Sequence, residues 1–411
     1  MKGAKKNHED EEELRAIGRI VHAFSHYQAD AEAEFRRWEE NYAKCVNSDV
    51  GGLSPEHQAM LTCIPARVTG ARQAALQNSR FFRTMLSEVC GKAADYEGPP
   101  ILALAPAAAE RHAAATRNRV SAEDVGRVRY ALRNLVRDWG VEGAVERAQS
   151  YGLIVAELTQ RVLGGWGASS LGGLSIGTGV GSSPLGAPEP PRGPPKPPKV
   201  LVPGAGLGRL CLDLCAAGFS VVGNEFSYYM LLLSSFVLNH SREAEEFVVH
   251  PWVHGCHNHR SEADQLRPAV VPDVLPADLA QNGELCMAAG DFAEVFGRAE
   301  EEGAFEAVAT SFFLDTAPNV VRYLEVIYHV LKPGGVWVNV GPLLYHWSGQ
   351  DCEAGEPCVE LSLSALEAVA QRVGFRLERK SMVQADFVSD PRSMQKNTYD
   401  CVFWTMVKPA S

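Results

Sequence analysis

The sequence predicts an α/β protein in which a mostly parallel sheet, with helices on both faces, follows a long helical region. Three observations carry that prediction. Five apolar runs, Val200–Val202, Ser220–Gly223, Leu285–Ala288, Ala307–Phe313 and Val336–Val340, alternate with helix-like stretches, the pattern of a parallel sheet. Ahead of them, from about Glu11 to Leu163, apolar residues recur at three- and four-residue spacing among charges, and strand-like alternation is rare. Behind them, Phe375–Val383 and Tyr399–Lys408 are consecutive strand-like runs joined by DFVSDPRSMQKN. Such a pair predicts an antiparallel hairpin at the sheet edge.

Bulk properties narrow the function. The chain has 411 residues, 46% of them hydrophobic, enough for one large or two ordinary cores. Its net charge of −11 makes it a poor general ligand for nucleic-acid phosphates. The ten cysteines are scattered rather than arranged as a framework, which fits a reducing compartment. The N-terminus MKGAKKNHEDEEELRA has no apolar core of a secretory signal, and no run of about 18 apolar residues predicts a membrane span. A soluble intracellular protein is expected.

Taking the elements in order, Ser54-Pro55-Glu56 reads as an N-cap, a proline at the first helical position and an early acid. Ser121-Ala-Glu-Asp124 reads as a second helix start. In the helix it opens, Val125, Val128, Leu132, Leu135, Val136 and Trp139 form one apolar stripe. Asn134 and Arg137 share another face, which read by itself is a solvated one. Residues 164–199 are glycine- and serine-rich and then proline-rich, the composition of a flexible insert. The division expected is therefore a helical region at 1–163, an insert at 164–199 and an α/β domain at 200–411.

The α/β part opens with PKVLVPGAGLGR, a strand running into Gly204, Gly206 and Gly208 and then a helix. Glycines permit the turn and a close approach of backbone to a ligand, and the helix start offers free N–H groups. Glu225, in GNEFS after the second run, can accept from ribose hydroxyls. A dinucleotide fingerprint wants its third glycine at position 209, where Arg209 stands. GxGxG with a downstream acid is common where S-adenosylmethionine binds, while a turn without any ligand is the bland alternative. Two later features favour the methyl donor. Asp291 and Phe292 follow the third run, an acid for an adenine amino group and an aromatic to pack on its ring; LKPGG then leads into the fifth run. Gly204, Glu225, Asp291, Asp315 and His346 all fall near the C-terminal ends of strands, where open α/β sheets bind ligands.

The candidate acceptor site lies in SFFLDTAPN and GPLLYHW, which supply Asp315, Tyr345, His346 and Trp347. A carboxylate beside aromatics and a histidine suits a nitrogen acceptor, because it can hold an N–H and stabilise positive charge. Asp-Thr-Ala-Pro-Asn is equally good as a cap for the next helix, so both readings of Asp315 stay open at this point. HPWVHGCHNH gathers His250, His254, Cys256, His257 and His259. The spacing matches no standard zinc pattern, and a histidine-rich surface loop without metal is expected.

VRDW, LVPGAGLGRL, GNEFSYYML, HPWVH, GDF, SFFLDTAPN, LKPGG and GPLLYHW together resemble the carnosine N-methyltransferase family. The likeness runs through most of the chain apart from the insert. It implies a Rossmann-like S-adenosylmethionine-dependent methyltransferase: a seven-stranded sheet with an antiparallel C-terminal hairpin, preceded by a helical N-terminal region. It implies methyl transfer to the imidazole Nπ of carnosine (β-alanyl-histidine), giving anserine and S-adenosylhomocysteine. Histidine in peptides or proteins would be a secondary acceptor, and nucleic acid and membrane would not be partners. Cytoplasm and nucleus are the compartments implied, and a homodimer stays open. The cofactor residues implied are Asn134, Arg137, Gly204, Gly206, Glu225, Asp291 and Phe292, with Asn134 standing where the family has glutamine. The helix face bearing Asn134 and Arg137 is then expected to point at the cofactor. Asp315, His346 and Tyr399 match the residues that hold carnosine. Phe387 stands where the family has a further tyrosine, which removes a hydroxyl from the acceptor pocket. Three other readings compete: a protein-histidine methyltransferase of this fold, a non-catalytic cofactor-binding scaffold, and an NAD dehydrogenase, the last disfavoured by Arg209.

Overall fold

The structure is a computed structural model that describes residues 2–47, 52–91, 101–164, 196–348 and 358–410. Most of the expected insert, 165–195, lies outside the described residues. Among the described residues seven α-helices build the N-terminal region: α1 Lys2–Asn47, α2 Pro55–Met60, α3 Cys63–Gly91, α4 Ile101–Ala115, α5 Ala122–Trp139, α6 Ala144–Gln149 and α7 Tyr151–Leu158. Both sequence-read starts are real caps. Ser54 accepts from the His57 N–H, and Ser121 from the Asp124 N–H, each satisfying a donor the helix cannot. Val128, Leu132, Leu135, Val136 and Trp139 are buried as the stripe predicts.

Nine strands follow: β1 Lys199–Pro203, β2 Ser220–Glu225, β3 Phe247–Val249, β4 Ala269–Val271, β5 Leu285–Ala289, β6 Phe305–Ser311, β7 Leu331–Gly341, β8 Arg376–Asp386 and β9 Thr398–Val407. Seven form one sheet in the order β5-β2-β1-β6-β7-β9-β8. All neighbours are parallel except β9, which runs antiparallel between β7 and β8. The middle of the sheet, β1, β6, β7 and β9, is buried on both sides, while the edge strands β5 and β8 are largely open, and alternation sorts the side chains. Val200 and Val202 face one apolar cluster and Leu201 the other. Phe403 likewise opposes Val402, Trp404 and Met406. The pair β3–β4 makes a separate two-stranded ribbon that the sequence reading did not anticipate.

One feature joins the two regions. Phe24, Phe82, Leu132 and Trp139 of the helices belong to the same buried cluster as Val200, Leu210 and Phe236. At its centre the Trp139 indole N–H donates to the Leu207 carbonyl in the glycine turn at 3.1 Å. The Arg209 guanidinium packs over the Trp139 ring and donates to the Asp138 carbonyl and to Asp273. Position 209 therefore holds arginine because it clamps α5 onto the sheet.

Trp139→Ala removes a fully buried indole and its hydrogen bond at that seam. It should cost about 3–5 kcal/mol of folding free energy, read from a urea titration. A loss below about 1 kcal/mol would show that the seam is not a structural joint.

Candidate functional site

The site forms where β1, β2, β5, β6 and β7 end. After Pro203 the chain turns through Gly204 and Gly206 at φ of +67° and +56°, the left-handed region that favours glycine. Gly204 is also fixed by space, since a Cβ there would stand 2.6 Å from the Phe313 ring. Glu225, ending β2, accepts from the N–H groups of Gly206, Phe226 and Ser227 at 2.8, 2.9 and 2.8 Å. Burial pushes its carboxyl above the ordinary glutamate range, and those three N–H groups pull it back.

Asp291 is the N-cap of the helix Phe292–Phe296, its Oδ1 accepting from the Ala293 and Glu294 N–H groups. The expectation that the Phe292 ring packs on an adenine needs correcting. That ring is 2% exposed and meets Phe313 and Tyr323 edge-on, so it buttresses the site from within. Phe226, next to Glu225, is by contrast 72% exposed.

From α5, Asn134 and Arg137 are both buried, which excludes the solvated-face reading. Asn134 Nδ2 donates to the Tyr130 carbonyl. Arg137 Nη1 donates to Asp138 Oδ1 at 2.8 Å and to the Tyr151 hydroxyl at 2.6 Å. Its guanidinium lies 4.6 Å from the Phe387 ring centre. Arg137 thus touches both the glycine-loop side, through Asp138, and the acceptor-side loop 387–397.

On the acceptor side, Asp315 is 2% exposed, and its Oδ2 accepts from the Leu344 N–H at 3.0 Å. Its carbonyl accepts from the His346 N–H at 2.9 Å. Asn319 caps the helix Val320–Val330, so Asp315 is not spent on that task. Burial pushes the Asp315 carboxyl above the ordinary aspartate range, while the Leu344 N–H and the nearby His346 pull it back. Phe387 stacks on Phe312 at 4.3 Å, and Tyr399 meets Phe312 edge-on at 6.1 Å. His346 is exposed. Asp315, His346, Tyr399 and Phe387 are therefore gathered around the ends of β6, β7 and β9.

Phe312, Tyr345 and Val388 stand at φ of +52°, +45° and +49°. Non-glycine residues there store strain, and such strain gathers at functional sites. Each has a holder: Phe312 N–H donates to Val340 O, the Tyr345 hydroxyl to Leu361 O, and Val388 N–H to Glu146. Sequence reasoning missed Glu146, Tyr151, Asp138 and Phe312. Only Asp138 and Phe312 carried any signal, by standing inside VRDW and SFFLDTAPN.

The histidine run also departs from expectation. The His254 side chain is buried, with Nδ1 2.7 Å from Glu34 and Nε2 2.9 Å from the Tyr27 hydroxyl. His250 is buried too, its N–H donating to Asn78. This segment pins α1 and α3 to the sheet domain rather than forming a surface loop, although Cys256 and His257 are exposed. Among the described residues no group of three or more His, Cys, Asp or Glu could hold a metal. No helix among them is long and apolar enough to cross a membrane. A cavity of about 200 Å³ lined by Tyr228, Leu231, Ser234 and Met287 contains none of the predicted ligand residues.

A family model described as Carnosine N-methyltransferase matches residues 187–410. The chain is 31% identical to the mouse Carnosine N-methyltransferase over 407 residues, covering 98% of this chain and 88% of that protein. It is 32% identical over 416 residues to the Drosophila melanogaster protein named Carnosine N-methyltransferase unmet, covering 97% and 81%. It is 35% identical over 292 residues to the Schizosaccharomyces pombe Carnosine N-methyltransferase, covering 69% and 71%.

Ribose hydroxyls bond an ionised Glu225 best. Because burial raises that group, affinity for S-adenosylhomocysteine should fall as pH is lowered, the decline beginning above the ordinary glutamate range. Calorimetry as a function of pH should show the decline in the native protein and a weak, flat profile for Glu225→Gln. An equally steep decline in Glu225→Gln would assign the titration to another group.

Proposed function

The chain belongs to the carnosine N-methyltransferase family, and from that membership we propose that it transfers a methyl group from S-adenosylmethionine to the imidazole Nπ of carnosine, giving anserine. The observation that carries the reading is Asp315. It is a buried carboxylate, held by the Leu344 N–H and freed from capping by Asn319, beside His346, Tyr399 and Phe387.

The residues present fit the methyl donor. Gly204 and Gly206 leave room for close approach, Glu225 and Asp291 offer carboxylate oxygens, and α5 adds Asn134 and Arg137. When bound, S-adenosylmethionine supplies the methyl group as a sulfonium. Everything else is the work of the chain. Glu225 would accept from the ribose hydroxyls and Asp291 from the adenine amino group. Asp315 would accept the Nτ–H of the imidazole, leaving Nπ with its lone pair aimed at the methyl group. As the N–C bond forms and the S–C bond breaks, positive charge grows on the ring, and the Asp315 carboxylate stabilises it. The Nτ proton then passes to Asp315 and on to solvent. His346 and Tyr399 supply polar contacts at the mouth. Phe387, held between Arg137 and Phe312, supplies a flat wall in place of a hydroxyl.

A second acceptor class has one observation in its favour. Leu344, beside His346, and Met394, in the acceptor-side loop, are exposed, as a surface that receives a peptide or protein would be. The cytoplasm and nucleus remain the compartments of this reading. They would keep reduced the nine free cysteines of the described residues.

The test is mass spectrometry of products from S-adenosylmethionine with carnosine, homocarnosine, free histidine or a histidine-containing protein, the methyl position being fixed by NMR. We expect one methyl on Nπ of carnosine. Asp315→Ala should bind S-adenosylhomocysteine normally and lose about 100-fold or more in turnover. Near-native turnover in that variant would remove Asp315 from the mechanism. A methyl found only on protein histidine would establish the second acceptor class.

A further inference from the structure

We propose that Asp138 is the ligand for the α-ammonium of the cofactor's methionine moiety, so that the helical region closes a site the sheet alone leaves incomplete. The inference rests on the methyl-donor reading of the glycine loop.

The methionine end of S-adenosylmethionine carries an ammonium and a carboxylate. An ammonium withdrawn from water needs an anionic or carbonyl partner. The glycine turn does not bring a carboxylate. From Pro203 to Arg209 the only ionisable side chain is Arg209, and it is turned towards Asp213 and Asp273. Glu225 is held by three N–H groups at the end of β2, and Asp291 caps the next helix but one along the site.

Asp138 meets the requirement. Its side chain is almost fully buried. Oδ1 accepts from both Arg137 and the Tyr151 hydroxyl. Oδ2 takes no hydrogen bond among the described residues, and it lies 3.8 Å from where a Cβ on Gly206 would stand. The carboxylate therefore looks across the bare Cα of the turn whose glycines make room for a ligand. It is fixed there on three sides: by Tyr151 on Oδ1, by Arg209 on its carbonyl, and by the neighbouring Trp139 on Leu207 O. Beside it, Arg137 turns its Nε to Glu146 Oε2 at 3.5 Å, so its charge is already answered within the protein. An anion aimed at the turn is the complement of the ammonium of an amino-acid end. Were Asp138 only the counter-ion of Arg137, its second oxygen would have no reason to face the glycine.

The experiment compares two ligands by calorimetry on the full chain: S-adenosylhomocysteine and its deamino analogue, in which hydrogen replaces the α-amino group. The native protein should prefer the amino form by about tenfold or more, the scale of one charge-assisted hydrogen bond. Asp138→Asn should bind the deamino analogue about as well as the native protein does, with the preference reduced to roughly twofold. Should the asparagine variant not fold, Asp138→Ser is read in the same way. A purely structural role would weaken both ligands together and leave the ratio intact, which overturns the proposal. So would a native protein that does not discriminate between them. If the native protein bound neither ligand, the cofactor reading would fall as well, and that outcome is distinct from a missing preference.

Discussion

The bond from the Trp139 indole N–H to the Leu207 carbonyl is the joint on which the site depends. It places the last turn of α5 against the glycine turn of β1. The Arg209 clamp on the Asp138 carbonyl and Asp273 fixes the angle between them. With that contact made, Asp138 faces the glycine turn across Gly206, and Arg137 reaches Phe387 in the loop 387–397. The helical region is thus packed directly against the glycine turn rather than being an appendage. A buried cluster shared between helices and sheet holds it in place. Apolar burial is non-directional, so the polar contacts at the seam are what give it one register.

The region around Asp315 and Phe387 is built on a different principle. Three segments, at Phe312, Tyr345 and Val388, are held in left-handed backbone geometry by hydrogen bonds from elsewhere in the fold. Glu146 of α6 takes the Val388 and Ser389 N–H groups, and Arg267 pairs with Asp390 in the same loop. The loop carrying Phe387 is therefore oriented by the helical region and by the segment after the buried histidines. Preorganisation of this kind spares the enzyme the cost of arranging its polar groups at the moment of reaction.

Much of this was legible in the sequence, and the residues show why. The central strands β1, β6 and β7 announce themselves because both faces are buried, which makes their apolar runs continuous. Ser54 and Ser121 read as caps because capping is local chemistry. Residues whose role depends on distant partners did not read. His250 and His254 looked like a surface loop, since their partners Asn78 and Glu34 lie some 170 and 220 positions away. The strands β3 and β4 have three residues each, too few for a periodicity. Asp315 could not be separated from a cap, because Asn319 four residues on offers the same chemistry and only geometry shows which one the helix uses. Phe292 was read as a ligand face because the sequence shows an aromatic but not the direction of its ring.

The central claim is that the helical region and the sheet domain form one cofactor site. Hydrogen–deuterium exchange of the full chain, with and without S-adenosylhomocysteine, tests it most directly, because exchange reads local opening segment by segment. The account predicts added protection on ligand binding in the last turns of α5, around residues 134–139, together with residues 204–208 and 225–228. Protection confined to the sheet domain, with α5 unchanged, would contradict it.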